Sequence, residues 1–186
     1  SAGQGDADSL DGGSGTDTLQ LSSGSHSLTS DGALQNIQTI TLNASGTTIN
    51  LTGQSESLTI TGAAGSDIIT TGSGNDTISG EGGADTITGA GGSDIINLGS
   101  SDSASDIIIF SATSGMDIIK QFNAGASNGD IMKYTGNLSD VEGTANTSNG
   151  SDGNDDLISA DFIVNTTNSS LDITKLVIGF NTAVTQ

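Results

Sequence analysis

The stretch from Gly62 to Asn97 decides the fold, because it consists of four consecutive nonapeptides in one register: GAAGSDIIT, TGSGNDTIS, GEGGADTIT and GAGGSDIIN. The four units share an aspartate at the sixth position and an isoleucine at the eighth. The aspartates are Asp67, Asp76, Asp85 and Asp94, and the isoleucines are Ile69, Ile78, Ile87 and Ile96. A period this strict predicts a repeating fold in which every unit adopts the same conformation.

Each nonapeptide divides into a turn and a short strand. The glycine-rich half must turn, because glycine reaches positive φ without a steric clash. The other half, such as Asp-Ile-Ile-Thr, alternates its side chains between two faces, so that the second isoleucine points inward. Two nonapeptides therefore predict a coil of eighteen residues with strands on opposite walls.

Such coils bring acidic side chains of successive turns together. Asp67 is expected over Asp85 on one edge, and Asp76 over Asp94 on the other. Coils lie about 4.8 Å apart, where two carboxylates repel by roughly 3 kcal/mol even at an effective dielectric constant of about 20. A cation is therefore expected between them. Ca²⁺ fits, because it takes oxygen ligands from carboxylates and carbonyls, whereas a chain without Cys and with one His offers no zinc site.

We therefore predict Ca²⁺ as the cofactor, held by aspartates and by the carbonyls of the glycine-rich turns. The predicted carboxylate ligands are Asp67, Asp76, Asp85, Asp94, and, beyond a looser part of the repeat, Asp106 facing Asp85 and Asp117 facing Asp94. The predicted carbonyl ligands are Ala64, Gly65, Ser73, Gly74, Gly82, Gly83, Gly91 and Gly92. The alternative is a solvated Asp/Gly loop without metal. Since one buried isoleucine per nine residues offsets little backbone entropy, these coils are expected to need the ion.

Between Leu21 and Thr61 the glycine motif disappears while the apolar period continues. One predicted inner row contains Leu42, Leu51, Ile60 and Ile69, and a second row, two places earlier at the aspartate positions, contains Ile40, Ile49 and Leu58. These rows predict calcium-free coils in which a second buried apolar residue replaces the metal. The alternative is a separate small β-sandwich. His26, nine residues after Asp17, is interpreted as an exposed turn residue.

The opening of the chain also carries the motif, with a full match from Gly12 to Gln20 and equivalent places at Asp8 and Leu10. The pattern G-G-x-G-x-D-x-U-x resembles the calcium-binding repeat of RTX (repeats-in-toxin) proteins. This resemblance implies an all-β fold: a right-handed parallel β-roll, or β-solenoid, of 18-residue coils with calcium in the turns. Whether Asp8 and Asp17 bind calcium stays open.

The part after Asn97 resembles a second family. The segments from Ser105 to Ala112, from Asp117 to Phe122 and from Gly129 to Ile131 are similar to the end of the β-roll in serralysin-type secreted metalloproteases. Met132-Lys133-Tyr134 departs from that family's ending.

Four segments follow from these patterns. They are short RTX repeats at 1–20, calcium-free solenoid coils at 21–61, a calcium-binding β-roll at 62–134, and an acidic loop with C-terminal capping strands at 135–186. In the last segment, Asp152, Asp155 and Asp156 are interpreted either as part of a mobile acidic loop or as a further ion site. Paired apolar residues predict the capping strands: Phe162 and Val164, Leu171 and Ile173, Leu176 and Ile178.

Composition excludes several functions. A net charge of −19, from 22 acidic and 3 basic residues, excludes nucleic acid as a partner. No segment is long and apolar enough to predict a membrane span. Enzymatic activity is not expected, because the chain lacks H-E-x-x-H and G-x-S-x-G motifs and its single His leaves no Ser-His-Asp set. The chain begins inside a repeat without a signal peptide, so we expect a processed or partial chain.

The resemblance implies an extracellular protein of the bacterial cell surface, exported by type I secretion and folded by calcium outside. The leading hypothesis is a structural protein that self-assembles as a homo-oligomer or polymer, in a surface layer (S-layer), an adhesin or a filament, with cell-surface polysaccharide as a further partner. The alternative is a C-terminal folding and secretion module of an RTX toxin or secreted enzyme. A third hypothesis is ice or surface adhesion through threonines at irregular spacing: Thr39, Thr41, Thr48, Thr59 and Thr61.

Overall fold

The computed structural model describes residues 9–99, 104–111, 114–123 and 129–135, and the backbone of residues 175–179. These residues form a β-solenoid of about five turns, and none of them is in a helix. The fifteen strands are β1 Leu10–Asp11, β2 Thr18–Leu21, β3 Ser25–Ser27, β4 Leu34–Gln35, β5 Thr39–Leu42, β6 Thr48–Asn50, β7 Thr59–Thr61, β8 Ile68–Thr70, β9 Thr77–Ser79, β10 Thr86–Thr88, β11 Ile95–Asn97, β12 Ile107–Phe110, β13 Met116–Lys120, β14 Ile131–Tyr134 and β15 Lys175–Gly179.

Successive strands alternate between two walls, as two nonapeptides per coil predict. The seven-stranded wall has the order β15-β13-β11-β9-β7-β5-β2, and the six-stranded wall has the order β14-β12-β10-β8-β6-β3. A short pair, β1 with β4, lies beside them. Neighbours in both walls are parallel except for β15, which pairs antiparallel with β13. The all-β solenoid predicted from the nonapeptides is confirmed.

Coil length is constant only in the nonapeptide region. Thr59 pairs with Thr77 and Ile68 with Thr86, eighteen residues apart in both cases. Thr39, however, pairs with Thr59 twenty residues on, and Ile95 with Ile118 twenty-three residues on. The additional residues lie in the turns, because the strands themselves stay in register.

The longer coils change the inner rows that were predicted before Thr61. Ile40 pairs with Ile60 and Ile49 with Ile69, so both lie in the main inner row. Leu42 is buried two places later. The prediction that put Leu42 and Leu51 in the main row, and Ile40 and Ile49 at aspartate positions, was wrong, because counting in nines fails where a coil has twenty residues.

The same coils are continuous with the nonapeptide coils. Strand β6 pairs with β8 and β7 with β9, across the boundary at Thr61. Leu58 opposes Asp76, as predicted, and donates its backbone N–H to Asp76 Oδ1 at 2.8 Å. The alternative of a separate β-sandwich in this part of the chain is therefore wrong.

His26 is not an exposed turn residue. It lies in β3, paired with Ile49, and is half-buried with its Nε2 2.9 Å from the carbonyl oxygen of Ser22. The residue of this coil that opposes the aspartate row is Gly24, because Ser25 pairs with Thr48. The interpretation failed because the coil that contains His26 is twenty-three residues long.

The centre of the core is one column of apolar side chains from each wall, and further buried apolar residues, among them Leu42, Leu58 and Phe110, pack beside these columns. The middle residue of each three-residue strand from β6 to β11 is at most 1 % exposed, and all six are isoleucines: Ile49, Ile60, Ile69, Ile78, Ile87 and Ile96. The residues on either side of these isoleucines face outward and are uncharged. The described residues contain no helix long and apolar enough to span a bilayer.

Outward threonines align across the strands despite their irregular sequence spacing. Thr39 pairs with Thr59, and Thr59 with Thr77; Thr41 pairs with Thr61. The alignment is possible because the turns, rather than the strands, take up the difference between coils of twenty and eighteen residues.

Candidate metal centre

The register places the aspartates in two columns, one at the start of the strands of each wall. Strand pairing puts Asp67, Asp85, Asp106 and Asp130 in the column of the six-stranded wall. It puts Asp76, Asp94 and Asp117 in the column of the seven-stranded wall. The six predicted carboxylate ligands are all buried, at most 2 % exposed. The structure therefore brings together the pairs that the nonapeptide period predicts.

Asp130 extends its column by one coil and was not among the predicted ligands. Its Oδ1 accepts the N–H of Asp106 at 3.0 Å, and its Oδ2 accepts the N–H of Asn123 at 2.7 Å. The signal was present in the sequence, since Gly129-Asp130-Ile131 follows the glycine, aspartate and isoleucine order of the turns. The twenty-four residues between Asp106 and Asp130 hid it from a nine-residue count.

The aspartates of each column are joined by a ladder of backbone-to-carboxylate hydrogen bonds. Each aspartate N–H donates to Oδ1 of the aspartate in the following coil. The bonds are Asp67 to Asp85 at 2.8 Å, Asp76 to Asp94 at 2.8 Å, Asp85 to Asp106 at 2.8 Å and Asp94 to Asp117 at 2.9 Å. Oδ1 is therefore used within the fold. The second oxygen, Oδ2, accepts a backbone N–H in Asp67 and Asp130, but it is buried without a hydrogen bond in Asp76 and Asp94.

In Asp94 the second oxygen lacks a hydrogen-bond partner. Its Oδ2 is buried and accepts no hydrogen bond, and Oδ2 of Asp76 is in the same state. Burial raises the pKa of Asp94 to about 7, and the nearby charges of Asp117 and Asp76 raise it too, against the Asp76 N–H that lowers it. A buried, uncompensated carboxylate is costly. The residues present therefore fit a cation that would pair with these oxygens.

Burial also raises the pKa values of the neighbours of Asp94 in the same column. The pKa of Asp117 is raised to about 6, mainly by burial and against the hydrogen bond from the Asp94 N–H. The pKa of Asp76 is raised by burial, against hydrogen bonding led by the Leu58 N–H. The whole column of the seven-stranded wall thus holds its negative charge less readily than aspartates in water.

Glycine makes room for these carboxylates. A Cβ placed on Gly89 would overlap Asp94 Oδ2, and one placed on Gly80 would lie 2.6 Å from Asp85 Oδ2. Both glycines stand five residues before their aspartate, at the first position of the nonapeptide. In these two units the glycine leaves free the space into which the carboxylate points, whereas Thr71 stands at the same position before Asp76 and donates its hydroxyl to the carbonyl oxygen of Gly89.

The turns of successive coils also contact each other through glycines. Gly92 has a φ of 114°, and a Cβ there would overlap the carbonyl oxygen of Gly74; Gly83, with a φ of 108°, approaches the backbone of Gly65 in the same way. Predicted carbonyl ligands of neighbouring coils are thereby adjacent. The following carbonyls accept no hydrogen bond from the described residues: Ala64, Gly65, Ser73, Gly74, Gly82, Gly91 and Gly92.

No group of three or more acidic or histidine side chains converges on one point in the part of the chain that the structure describes. A cation in these turns would therefore take one or two carboxylate oxygens and complete its shell with carbonyls and water, as Ca²⁺ does in oxygen-rich sites. The individual ligand assignments stay predictions.

The turns before Thr61 are built differently. Thr47 stands at the aspartate position opposite Asp67 and donates its hydroxyl to the carbonyl oxygen of Ala44 at 2.6 Å. Gln54, which is 1 % exposed, donates its amide to the carbonyl oxygens of Leu28 at 2.7 Å and Ser30 at 2.6 Å. Sequence reasoning missed Gln54, because its partners lie twenty-four and twenty-six residues away.

Three further acidic positions or groups were candidate ion sites: Asp8, Asp17 and the group of Asp152, Asp155 and Asp156. Asp17 is half-buried and donates its N–H to Oε1 of Gln38 at 2.9 Å, so an amide stands where the nonapeptide columns have the next carboxylate. Asp8 and the acidic group of Asp152, Asp155 and Asp156 lie outside the described residues.

Comparison with family models finds the RTX calcium-binding nonapeptide repeat, in four copies, at residues 2–25 and 59–100. Searches among curated proteins and among solved structures found no match. The matched repeats are calcium-binding, and they contain Asp67, Asp76, Asp85 and Asp94. The repeats and the parallel β-solenoid together fit an RTX β-roll protein.

Proposed function

RTX calcium-binding repeats indicate a secreted calcium-binding protein, and from that premise we propose that this chain is a structural protein that folds and self-assembles with calcium on the bacterial cell surface. A surface layer, an adhesin and an extracellular filament are the settings that this proposal covers. The role is structural rather than catalytic, since the buried carboxylates lie in the turns and hold neighbouring coils together.

The observation that carries this proposal is the pair of edges at the start of the solenoid. Within the described residues, β2 has β5 as its only neighbour, and β3 has only β6. An edge strand presents backbone donors and acceptors to a further strand. At the other end, β14 is the last described strand of the six-stranded wall and runs parallel to β12. Head-to-tail pairing of such ends does not close on itself and yields filaments or lattices.

The outer faces suit contact with a neutral partner. From β5 to β11 every outward strand position is uncharged, although the chain carries a net charge of −19. The acidic residues between these strands lie in the turns instead: Glu56, Asp67, Asp76, Glu81, Asp85 and Asp94. The aligned threonines, among them Thr39, Thr59 and Thr77, offer hydroxyl groups to a cell-surface polysaccharide without charge repulsion.

Light scattering and electron microscopy test self-assembly. The chain is expected to be monomeric without calcium and to form filaments or sheets in millimolar calcium. Gln20→Lys places a charge on edge strand β2 and should abolish assembly, whereas Thr61→Lys adds the same charge in the same outward row but in the interior of the wall and should not. A chain that binds calcium and stays monomeric would contradict self-assembly and favour the folding module of a toxin or enzyme.

A further inference from the structure

We propose that the coils from Ala33 to Thr61 become ordered without calcium, and that the calcium-binding coils then build on them. We term this segment the metal-free nucleus. In it the side-chain amide of Gln54 donates hydrogen bonds to turn carbonyls, whereas in the nonapeptides a cation would coordinate the turn carbonyls. The proposal concerns the order in which the solenoid forms and does not depend on self-assembly.

The metal-free nucleus has a much denser core than the repeats. Its nine buried hydrophobic residues are Ala33, Leu34, Ile37, Ile40, Leu42, Ile49, Leu51, Leu58 and Ile60. Residues 62–97 bury four, Ile69, Ile78, Ile87 and Ile96, although they form a longer segment. Apolar burial is the main favourable term in folding, so the nucleus has the larger share of it per residue.

Gln54 links three successive coils on one edge of the solenoid. Its side chain donates to Leu28 and Ser30 in the preceding coil, and its carbonyl oxygen accepts the N–H of Ser73 in the following coil at 2.9 Å. Gly53 and Gly72 lie so close to the adjoining coils that a Cβ on either would collide with a backbone carbonyl, of Thr29 and Gln54 respectively. The Gln54 turn is therefore packed as tightly as the calcium-type turns.

A neutral amide satisfies these carbonyls without burying charge. The side-chain NH₂ of glutamine has two donors, which match the two carbonyl oxygens that it meets. The aspartate positions of the nucleus hold Gln38, Thr47 and Leu58, so no pair of carboxylates has to be separated by an ion. The repulsion that makes calcium necessary in the repeats is absent here.

The nucleus also presents a strand edge, β6, with which the first calcium-type coil pairs. Asp67 lies at this boundary, and both of its oxygens accept backbone N–H groups, Oδ1 from Thr47 at 2.8 Å and Oδ2 from Ala63 at 2.9 Å. Strand β8 pairs with β6 residue by residue, Ile68 with Thr48 and Ile69 with Ile49. In a solenoid each coil contacts only its neighbours, so an ordered coil lowers the cost of adding the next.

Hydrogen exchange of the full chain, followed by mass spectrometry, tests the order of formation. In chelator, peptides from 33–61 are expected to keep exchange rates at least about tenfold slower than peptides from 62–99. In millimolar calcium both segments should be protected. If the two segments exchange equally fast in chelator, the metal-free nucleus does not exist.

Variants of Gln54 test the amide. Gln54→Leu removes the donors without adding charge, and Gln54→Glu aims a carboxylate at two carbonyl oxygens; both should lose the protection of 33–61 in chelator. Gln54→Glu should regain protection in calcium, because the site then has the ligands of a calcium turn. Gln121→Glu, the same charge change at an exposed position outside both the nucleus and the edge strands β2 and β3, is the control and should behave as the parent chain. Full protection of both variants in chelator would overturn the role of Gln54.

Discussion

Residues 33–61 and residues 62–97 are neighbouring parts of one solenoid that fill its interior in different ways. The first segment buries nine hydrophobic side chains, while the second, which is longer, buries four. In the second segment the positions that could have held apolar residues hold buried aspartates instead, at 1 % exposure each. The comparison shows that the same strand pairing tolerates a thin core where the turns supply another source of stability.

The turns of the two segments also differ in whether the chain itself supplies hydrogen-bond partners for their polar groups. Before Thr61, turn carbonyls are met by side chains of the chain itself, the hydroxyl of Thr47 and the amide of Gln54. In the nonapeptides, Asp94 keeps a buried oxygen without a hydrogen bond, and the carbonyls of Gly91 and Gly92 accept none from the described residues. The carbonyls of the first kind of turn are thus met within the chain, although Oε1 of Gln54 is itself buried without a hydrogen-bond partner, whereas the buried aspartate oxygens of the second kind are left for a cation.

The largest expected effect is a reversal of pH dependence by calcium. Burial raises the pKa of Asp94 to about 7 in the folded chain, above the ordinary aspartate value of 3.8. The folded state thus binds more protons than the unfolded state between these values, so without calcium its stability should rise as the pH falls from about 7 to about 4. With calcium the trend should reverse, because protons compete with the ion for the carboxylates.

Thermal unfolding followed by circular dichroism, on protein dialysed free of calcium and on calcium-loaded protein, measures both trends. In the calcium-free sample the β content of the repeats should increase as the pH is lowered from 7.5 to 5, whereas in the calcium-loaded sample their unfolding transition should move to lower temperature. The same pH trend in both samples would show that the aspartate columns are not linked to the ion.

A smaller effect is expected when a side chain is added at a glycine that leaves space for an aspartate carboxylate. Gly89→Ala places a Cβ against Asp94 Oδ2 and should raise the calcium concentration needed for folding by about tenfold, since overpacking costs about 1–3 kcal/mol. Gly32→Ala, directly before the other segment, is the matched control, because its Cβ would meet only the Gln35 amide at 3.9 Å and its φ is not positive. If the two variants reach half-folding at the same calcium concentration, the space beside Gly89 has no role in calcium binding.

The sequence predicted the repeating part of the fold well, because its chemistry is local. Nine-residue spacing was enough to pair Asp67 with Asp85 and Asp76 with Asp94, and the later pairs with Asp106 and Asp117 followed from the alternation of walls. These pairs depend only on strand register, which the inward isoleucines determine.

The rest depended on turn length, which the nine-residue spacing does not reveal. Ile40 and His26 were assigned to the wrong rows, because coils of twenty and twenty-three residues shift the register against a count in nines. The role of Gln54 could not be predicted either, since its partners become neighbours only after the coils stack. Local motifs thus predicted the calcium-type turns, whereas turns completed by long-range hydrogen bonds needed the structure.

Anomalous diffraction from calcium-loaded crystals tests the central claim most directly, because it locates the ion independently of the protein atoms. The account predicts calcium peaks in the turns beside Asp76 and Asp94 and no peak beside Gln54. Ordered nonapeptide coils whose turns contain no ion would contradict it.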